Sequence, residues 1–253
     1  MSQIRRLEDP AAVAAAAARD FADLAREAIR ARGRFSVALS GGSTPRRLYA
    51  LLAEHPFREA VPWDRIDVFW GDERAVPPDH PDSNYGAARA ALLSKVPVPR
   101  ERVHRVLAEV SDPREAARRY QAEIARVFGV PEEGAPPAFD LVLLGMGADG
   151  HTASLFPYSE ALVERRRWVV SHYVSQLGAA RITFTVPLIN GAREIRVLVT
   201  GADKAATLES VLEGPREPER LPAQLVAPVS GRTVWLVDEA AAAKLLPAGE
   251  ARD

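Results

Sequence analysis

An acid and an imidazole two positions apart, Asp149 and His151, stand in a run with three glycines, Gly145, Gly147 and Gly150. An imidazole, with an ordinary pKa near ~6.5, suits proton transfer at neutral pH, and a nearby carboxylate orients it. The glycines let the chain turn sharply and let another group approach its backbone. A second group, Ser40-Gly41-Gly42-Ser43-Thr44-Pro45, offers hydroxyls and a flexible backbone just before a helix start. Free N–H groups and the positive end of a helix dipole favour an anion there. Arg46 and Arg47 follow in the first turn, where the dipole disfavours cations by a few tenths of a kcal/mol, and a bound anion would remove that conflict. The loop matches neither the Walker pattern nor GxGxxG, so a nucleotide is not implied. Two more polar groups are Asp72-Glu73-Arg74 and Thr200-Gly201-Ala202-Asp203-Lys204, the latter holding one of the chain's three lysines.

Each group follows an apolar run. Phe35 to Leu39, Ile66 to Trp70, Phe139 to Leu144 and Glu194 to Val199 read as strands buried on both faces. Val103 to Leu107, Trp168 to Val174, Arg181 to Thr185 and Thr233 to Val237 read as further strands. Asp9-Pro10 and Gly33 bound a first helix, and Thr44 as N-cap with Pro45 opens a second to about Ala53. Further helices run from Ser83-Asn84 to about Leu93, from Asp112-Pro113 to Phe128, from Pro187, from Lys204 to about Leu212, and from Glu239 to Leu246. Residues Gly129 to Ala138 form a surface loop. Alternating strands and helices predict one α/β domain over residues 1–253, a doubly wound, mostly parallel, Rossmann-like sheet with helices on both faces. The carboxyl ends of its strands lie together, so the four polar groups converge on one crevice.

The bulk numbers narrow the function classes. A net charge of −1 argues against a general nucleic-acid or anionic-membrane surface, and the absence of cysteine removes disulfides, thiol nucleophiles and cysteine metal sites. The first ten residues carry acids where a signal peptide would be apolar, and Arg19-Asp20 break the alanine-rich run far short of the ~20 apolar residues of a membrane span. A cytoplasmic protein with a small-molecule ligand, no nucleic-acid or membrane partner, and a monomeric or small homo-oligomeric state is expected.

The chain resembles the 6-phosphogluconolactonase family in Leu39-Ser-Gly-Gly-Ser-Thr-Pro45, Phe69-Trp-Gly-Asp-Glu-Arg74, Ser83-Asn84, Gly145 to Pro157, Arg181-Ile-Thr-Phe-Thr185 and Thr200 to Lys204. The block around His151 is the most specific. The resemblance implies a fold shared with glucosamine-6-phosphate deaminase and ribose-5-phosphate isomerase. It implies hydrolysis of a sugar-phosphate δ-lactone without metal or other cofactor. His151 would activate water, with Asp149 beside it. Ser43, Thr44, the N–H groups of the loop holding Ser40, Gly41 and Gly42, Arg181 and Lys204 would hold the 6-phosphate. Asp72 and Arg74 would line the lactone end, and Arg74 or a glycine N–H would meet the oxyanion. The segment Val174 to Ala180 lacks the lysine and prolines often found there in the family. The deaminase, the nearest rival, usually has tyrosine in place of Arg74 and glutamate in place of Phe156. A second rival, a non-catalytic sugar-phosphate sensor, would need a DNA-binding module that the first 35 residues do not resemble.

Overall fold

The computed structural model describes residues 2–247. A six-stranded parallel sheet runs in the order β1-β9-β8-β5-β2-β3, with β1 Ser2–Leu7, β2 Phe35–Leu39, β3 Ile66–Trp70, β5 Leu141–Gly145, β8 Glu194–Val199 and β9 Arg232–Asp238. Alternation within the strands feeds two cores. Phe35, Val37, Leu39, Leu141 and Leu143 pack with α1 (Pro10–Arg32) and α2 (Ser43–Leu52). Ala38, Val142 and Leu144 face α5 (Pro113–Phe128), α6 (Val186–Asn190) and α7 (Ala205–Leu212). Two short helices, α3 (Phe57–Ala60) and α4 (Asn84–Ala88), complete the set, and a π-helical turn, Arg89–Leu93, extends α4.

Local chemistry sets the long helices. Asp9 accepts from Ala12 N at 2.7 Å, Pro10 occupies the first turn, and Gly33 ends α1 at φ 75°. Asp112 accepts from Arg114 N at 2.9 Å and Gly129 ends α5 in the same left-handed conformation. The connections wind outward from β2 to β3 and, in the other direction, from β5 to β8. The switch point therefore lies between the neighbours β2 and β5, where open α/β sheets place their crevice.

Three strands leave the parallel sheet. β4 (Asp72–Arg74), β7 (Ala179–Phe184) and β6 (Val169–Val174) form an antiparallel sheet of their own, in that order. It is tied to the main sheet at Gly71, whose N–H donates to Leu39 O and whose carbonyl accepts from Phe184 N, both at 2.8 Å. Periodicity gives a strand but not the sheet it joins, so β6 and β7 read like the rest. Three other expectations need correction, and one strand was not expected. Val103 makes only an isolated bridge to Val68 in place of a strand. Glu239 to Leu246 is a series of turns anchored on Asp238, not a helix. α2 starts at Ser43 with Gly42 as its cap residue, not at a Thr44 cap. Strand β1 went unread because its half-exposed, charged pattern carries no apolar run.

Candidate active site

The carboxyl ends of β2 and β5 form the floor of a cleft of about 350 Å³. Its lining joins Ser40, Gly41, Gly42, Ser43, Thr44, Asp72, Arg74, His151 and Lys204. Four segments far apart in sequence thus meet.

The Gly-Gly loop is fixed from below. The buried Tyr49 hydroxyl donates to Ser40 O (2.7 Å) and accepts from Ser40 N (3.0 Å). Burial drives its pKa far above the usual tyrosine range. The Ser40 hydroxyl is itself buried and has no partner. Gly42 sits at φ 106° and no side chain caps α2, so the N–H groups of Ser43 and Thr44 stay free. The Thr44 hydroxyl, which a cap would have used, instead meets the Thr200 hydroxyl at 2.8 Å. Gly41 must be glycine on steric grounds, because a Cβ there would lie 1.9 Å from Asn84 Oδ1.

At the end of β5 the chain turns through Gly145 to His151. Asp149 Oδ1 lies 2.6 Å from His151 Nδ1. Burial alone would raise the Asp149 pKa, but the hydrogen bond from His151 and its charge outweigh this and hold it below the usual carboxylate range. A carboxylate only accepts, so Nδ1 is a protonated nitrogen, and in the neutral ring Nε2 is then the acceptor. Nε2 makes no protein hydrogen bond. The ring stacks on Phe156 at 4.3 Å and 27°. A Cβ on Gly147 would fall 2.1 Å from His151 Nδ1, so that glycine makes room for the dyad. The turn is fastened by Gly147 N to His151 O (2.9 Å), Ala223 N to Gly150 O (2.9 Å) and the Thr207 hydroxyl to Ala148 O (2.6 Å).

Asp72, Glu73 and Arg74 form the wall opposite. Asp72 accepts from the Ser154 hydroxyl (2.7 Å) and Asn84 Nδ2 (3.3 Å), which also donates to Asp72 O (2.9 Å). Glu73 is buried, and burial pushes its pKa up despite three backbone donors, Asn84 N (2.7 Å), Tyr85 N (2.8 Å) and Arg74 N (2.8 Å). It fastens the start of α4, and Asn84 with it, to this wall.

Arg181 stands on β7. It pairs with Arg74 across the β4–β7 ladder and is absent from the cleft lining. Burial first and the Arg74 charge second lower its pKa. Its register thus sets it on the Arg74 side of the cleft. Asp149 likewise sits behind His151, outside the lining.

At the fourth corner, Gly201 N donates to both oxygens of the buried Asp238, each at 3.1 Å. That contact holds the turn carrying Thr200 and Lys204, whose Nζ is 2.9 Å from Asp203 Oδ2. Sequence reasoning gave no role to Tyr49, Asn84, Ser154, Thr200 or Asp238. Asn84, Ser154 and Thr200 fall inside the motif blocks, which was the available signal. Tyr49 and Asp238 had none.

The family model for glucosamine-6-phosphate isomerases and 6-phosphogluconolactonase matches residues 8–235. The chain is 45% identical over 221 residues to a 6-phosphogluconolactonase of Synechocystis sp., covering 87% of this chain and 89% of that protein. It is similar to the solved 6-phosphogluconolactonase from Trypanosoma cruzi, with a TM-score of 0.86 at 32% identity over 98% of each chain. A monomeric glucosamine-6-phosphate deaminase shares the fold, with a TM-score of 0.80 at 21% identity over 96% of this chain and 99% of that one.

Proposed function

The chain belongs to the glucosamine-6-phosphate isomerase/6-phosphogluconolactonase family, and from that premise we propose how its cleft works. The protein is an enzyme that hydrolyses 6-phospho-D-glucono-1,5-lactone to 6-phosphogluconate, a step of the oxidative pentose phosphate pathway. His151 Nε2 takes a proton from water as the oxygen attacks the lactone carbonyl carbon. The tetrahedral intermediate carries an oxyanion, and Arg74 meets it. The N–H groups of Gly147 and Gly150 are already engaged, by Gly147 to His151 O and by Gly150 to Gly147 O, which favours the guanidinium over a glycine donor. As the ring carbon–oxygen bond breaks, the imidazolium returns its proton to the departing ring oxygen. Asp149 fixes the tautomer and steadies the imidazolium.

The free N–H groups of Ser43 and Thr44, the hydroxyls of Ser40, Ser43 and Thr44, and Lys204 hold the 6-phosphate, with Gly41 and Gly42 giving it access to the backbone. Arg181 keeps the Arg74 side positive. Asp72, locked by Ser154 and Asn84, accepts from a sugar hydroxyl. The residues 1–253 act as one α/β unit in the cytoplasm, and all groups named lie on one chain.

One observation carries this reading: the 2.6 Å Asp149–His151 pair opens onto the same cleft as the uncapped α2 loop and Lys204. The stacking of Phe156 on His151 also speaks against a deaminase, which needs a second carboxylate to relay protons there. The test is a coupled assay in which excess glucose-6-phosphate dehydrogenase makes the lactone and acid release is followed with and without this protein. Acid release no faster than the spontaneous rate would reject the activity.

A further inference from the structure

A carboxylate sits where an incoming anion is to be bound. Asp203 lines the cleft next to Lys204, the one lysine of its lining, and Asp203 Oδ2 holds Lys204 Nζ at 2.9 Å. The two side chains are unequally placed. That of Lys204 is 22% exposed and that of Asp203 is 67% exposed. The lysine is thus set into the wall while the acid reaches it from the solvent side. Asp203 also curls back over its own turn, since a Cβ on Gly201 (φ 101°) would lie 2.7 Å from Asp203 Oδ1.

An ammonium without a counter-ion, close to the free N–H groups of Ser43 and Thr44, would draw any small anion. With the carboxylate in place, a ligand must exchange one anionic partner for another. A phosphate dianion that also uses the loop N–H groups wins that exchange. A neutral lactone never enters it. We infer that Asp203 is the resident counter-ion of Lys204, displaced when a phosphate arrives, and that it sets the affinity of this end of the cleft for phosphate. The inference rests on the 6-phosphate lying at Lys204. The hydrogen bond from Lys204, and then its charge, hold the Asp203 carboxyl below its usual range, in keeping with an ionised counter-ion.

The counter-ion model runs against first intuition, because removing a charged residue from the binding site should tighten binding. Asp203→Asn keeps the size and hydrogen-bonding shape of the side chain and removes its charge. The Ki of inorganic phosphate against the phosphorylated lactone, the KM of that lactone, and kcat/KM for the unphosphorylated δ-lactone are measured for wild type, Asp203→Asn, Lys204→Ala and the double variant. Ki and KM should both fall about two- to fivefold in Asp203→Asn, the range expected of a partly exposed ion pair. The kcat/KM of the neutral lactone should change by a smaller factor than Ki does, and the gain should vanish once Lys204 is gone. A Ki that is unchanged or higher in Asp203→Asn, with Lys204→Ala still weakening phosphate, overturns the counter-ion role and leaves the phosphate site standing. A Lys204→Ala enzyme with wild-type Ki and KM removes the phosphate site and the inference together. A neutral-lactone rate that moves by the same factor as Ki means a general disturbance of the cleft, and equally rejects the inference.

Discussion

Replacing Asp149 with Asn tests the dyad at its tightest contact. The carboxylate accepts the Nδ1–H of His151 at 2.6 Å and the His151 N–H at 3.2 Å. An amide oxygen keeps both contacts but gives up the charge. A hydrogen bond to a charged group is worth about 1.5–3 kcal/mol, and the Asp149 side chain is half exposed, so the lower end applies. The charge matters again in the transition state, where the imidazolium forms. Two unit charges about 4 Å apart at an effective dielectric near 20 attract by about 4 kcal/mol, and screening at a half-exposed site takes roughly half of that. The two effects together come to about 3.5 kcal/mol, or roughly a 400-fold loss at ~1.36 kcal/mol per decade. An expected drop in kcat of about 100- to 1,000-fold follows, with KM moving by less than about threefold because Asp149 lies outside the cleft lining. His151 pulls the Asp149 carboxyl below its ordinary range, against the effect of burial. It is therefore ionised across neutral pH, so the substitution removes a full charge there. The assay is initial acid release from freshly made lactone, corrected for spontaneous hydrolysis. An Asp149→Asn enzyme with kcat within threefold of wild type, or one that loses only KM, would refute the orienting carboxylate.

Other consequences are more direct. Gly41→Ala puts a methyl group 1.9 Å from Asn84 Oδ1. The phosphate loop must shift, and KM for the phosphorylated lactone should rise by about tenfold or more while kcat for the neutral lactone changes little. Arg196 is buried between Asp20 (2.5 Å) and Glu194 (2.7 Å). Asp20 keeps Arg5 (2.9 Å) and Glu194 keeps Arg232 (3.1 Å) as second partners, so Arg196→Ala removes charged hydrogen bonds without stranding either acid. It should cost about 1.5–3 kcal/mol in denaturant unfolding, and Arg196→Met with Asp20→Asn should recover part of that. Glu164 is lowered from 4.5 to about 2, chiefly by the N–H groups of Arg166 and Arg167 acting against burial. A depressed acid stabilises the fold above its unfolded pKa, so its contribution is lost as pH falls from about 4.5 toward about 2. Unfolding midpoints in that window should drop less steeply for Glu164→Gln than for wild type; parallel curves would show that Glu164 does not contribute.

The groups that meet at the cleft were legible because glycine marks the ends of the strands that carry them. Ser40 to Thr44, Asp72 to Arg74, Gly145 to His151 and Thr200 to Lys204 each follow a buried strand, and a parallel sheet must bring such ends together. The surroundings of Arg181 were not legible in this way. It begins a strand-like run, yet that strand pairs antiparallel with β4, and the register sets Arg181 against Arg74. No local pattern encodes such a register. The supporting residues were hidden in the same way. Tyr49 reads as one more apolar residue of α2, and only the packing of α2 on β2 brings its hydroxyl to Ser40. Asp238 ends the last strand, and its partner Gly201 lies 37 residues away.

Two acids, Asp72 and Asp203, line the cleft and two more, Glu73 and Asp149, stand next to lining residues, a poor start for binding a phosphate ester. Hydrogen-bond accounting resolves this. Asp72 is taken by Ser154 and Asn84, Glu73 by three backbone N–H groups, Asp149 by His151 and Asp203 by Lys204. A carboxylate whose lone pairs are occupied is held in place, and its field is partly cancelled by the donors around it. What the described residues leave unpaired is of the other kind: the N–H groups of Ser43 and Thr44 and the orphaned Ser40 hydroxyl. A buried polar group without a partner costs about 1–3 kcal/mol, which applies to the Ser40 hydroxyl; the N–H groups of Ser43 and Thr44 are more exposed and offer an acceptor-rich ligand donors already oriented by the loop. Phosphate is the ligand richest in acceptors that a sugar lactone carries. The same accounting leaves Nε2 of His151 as the unpaired acceptor at the cleft, ready for the one donor that the reaction must bring, a water molecule.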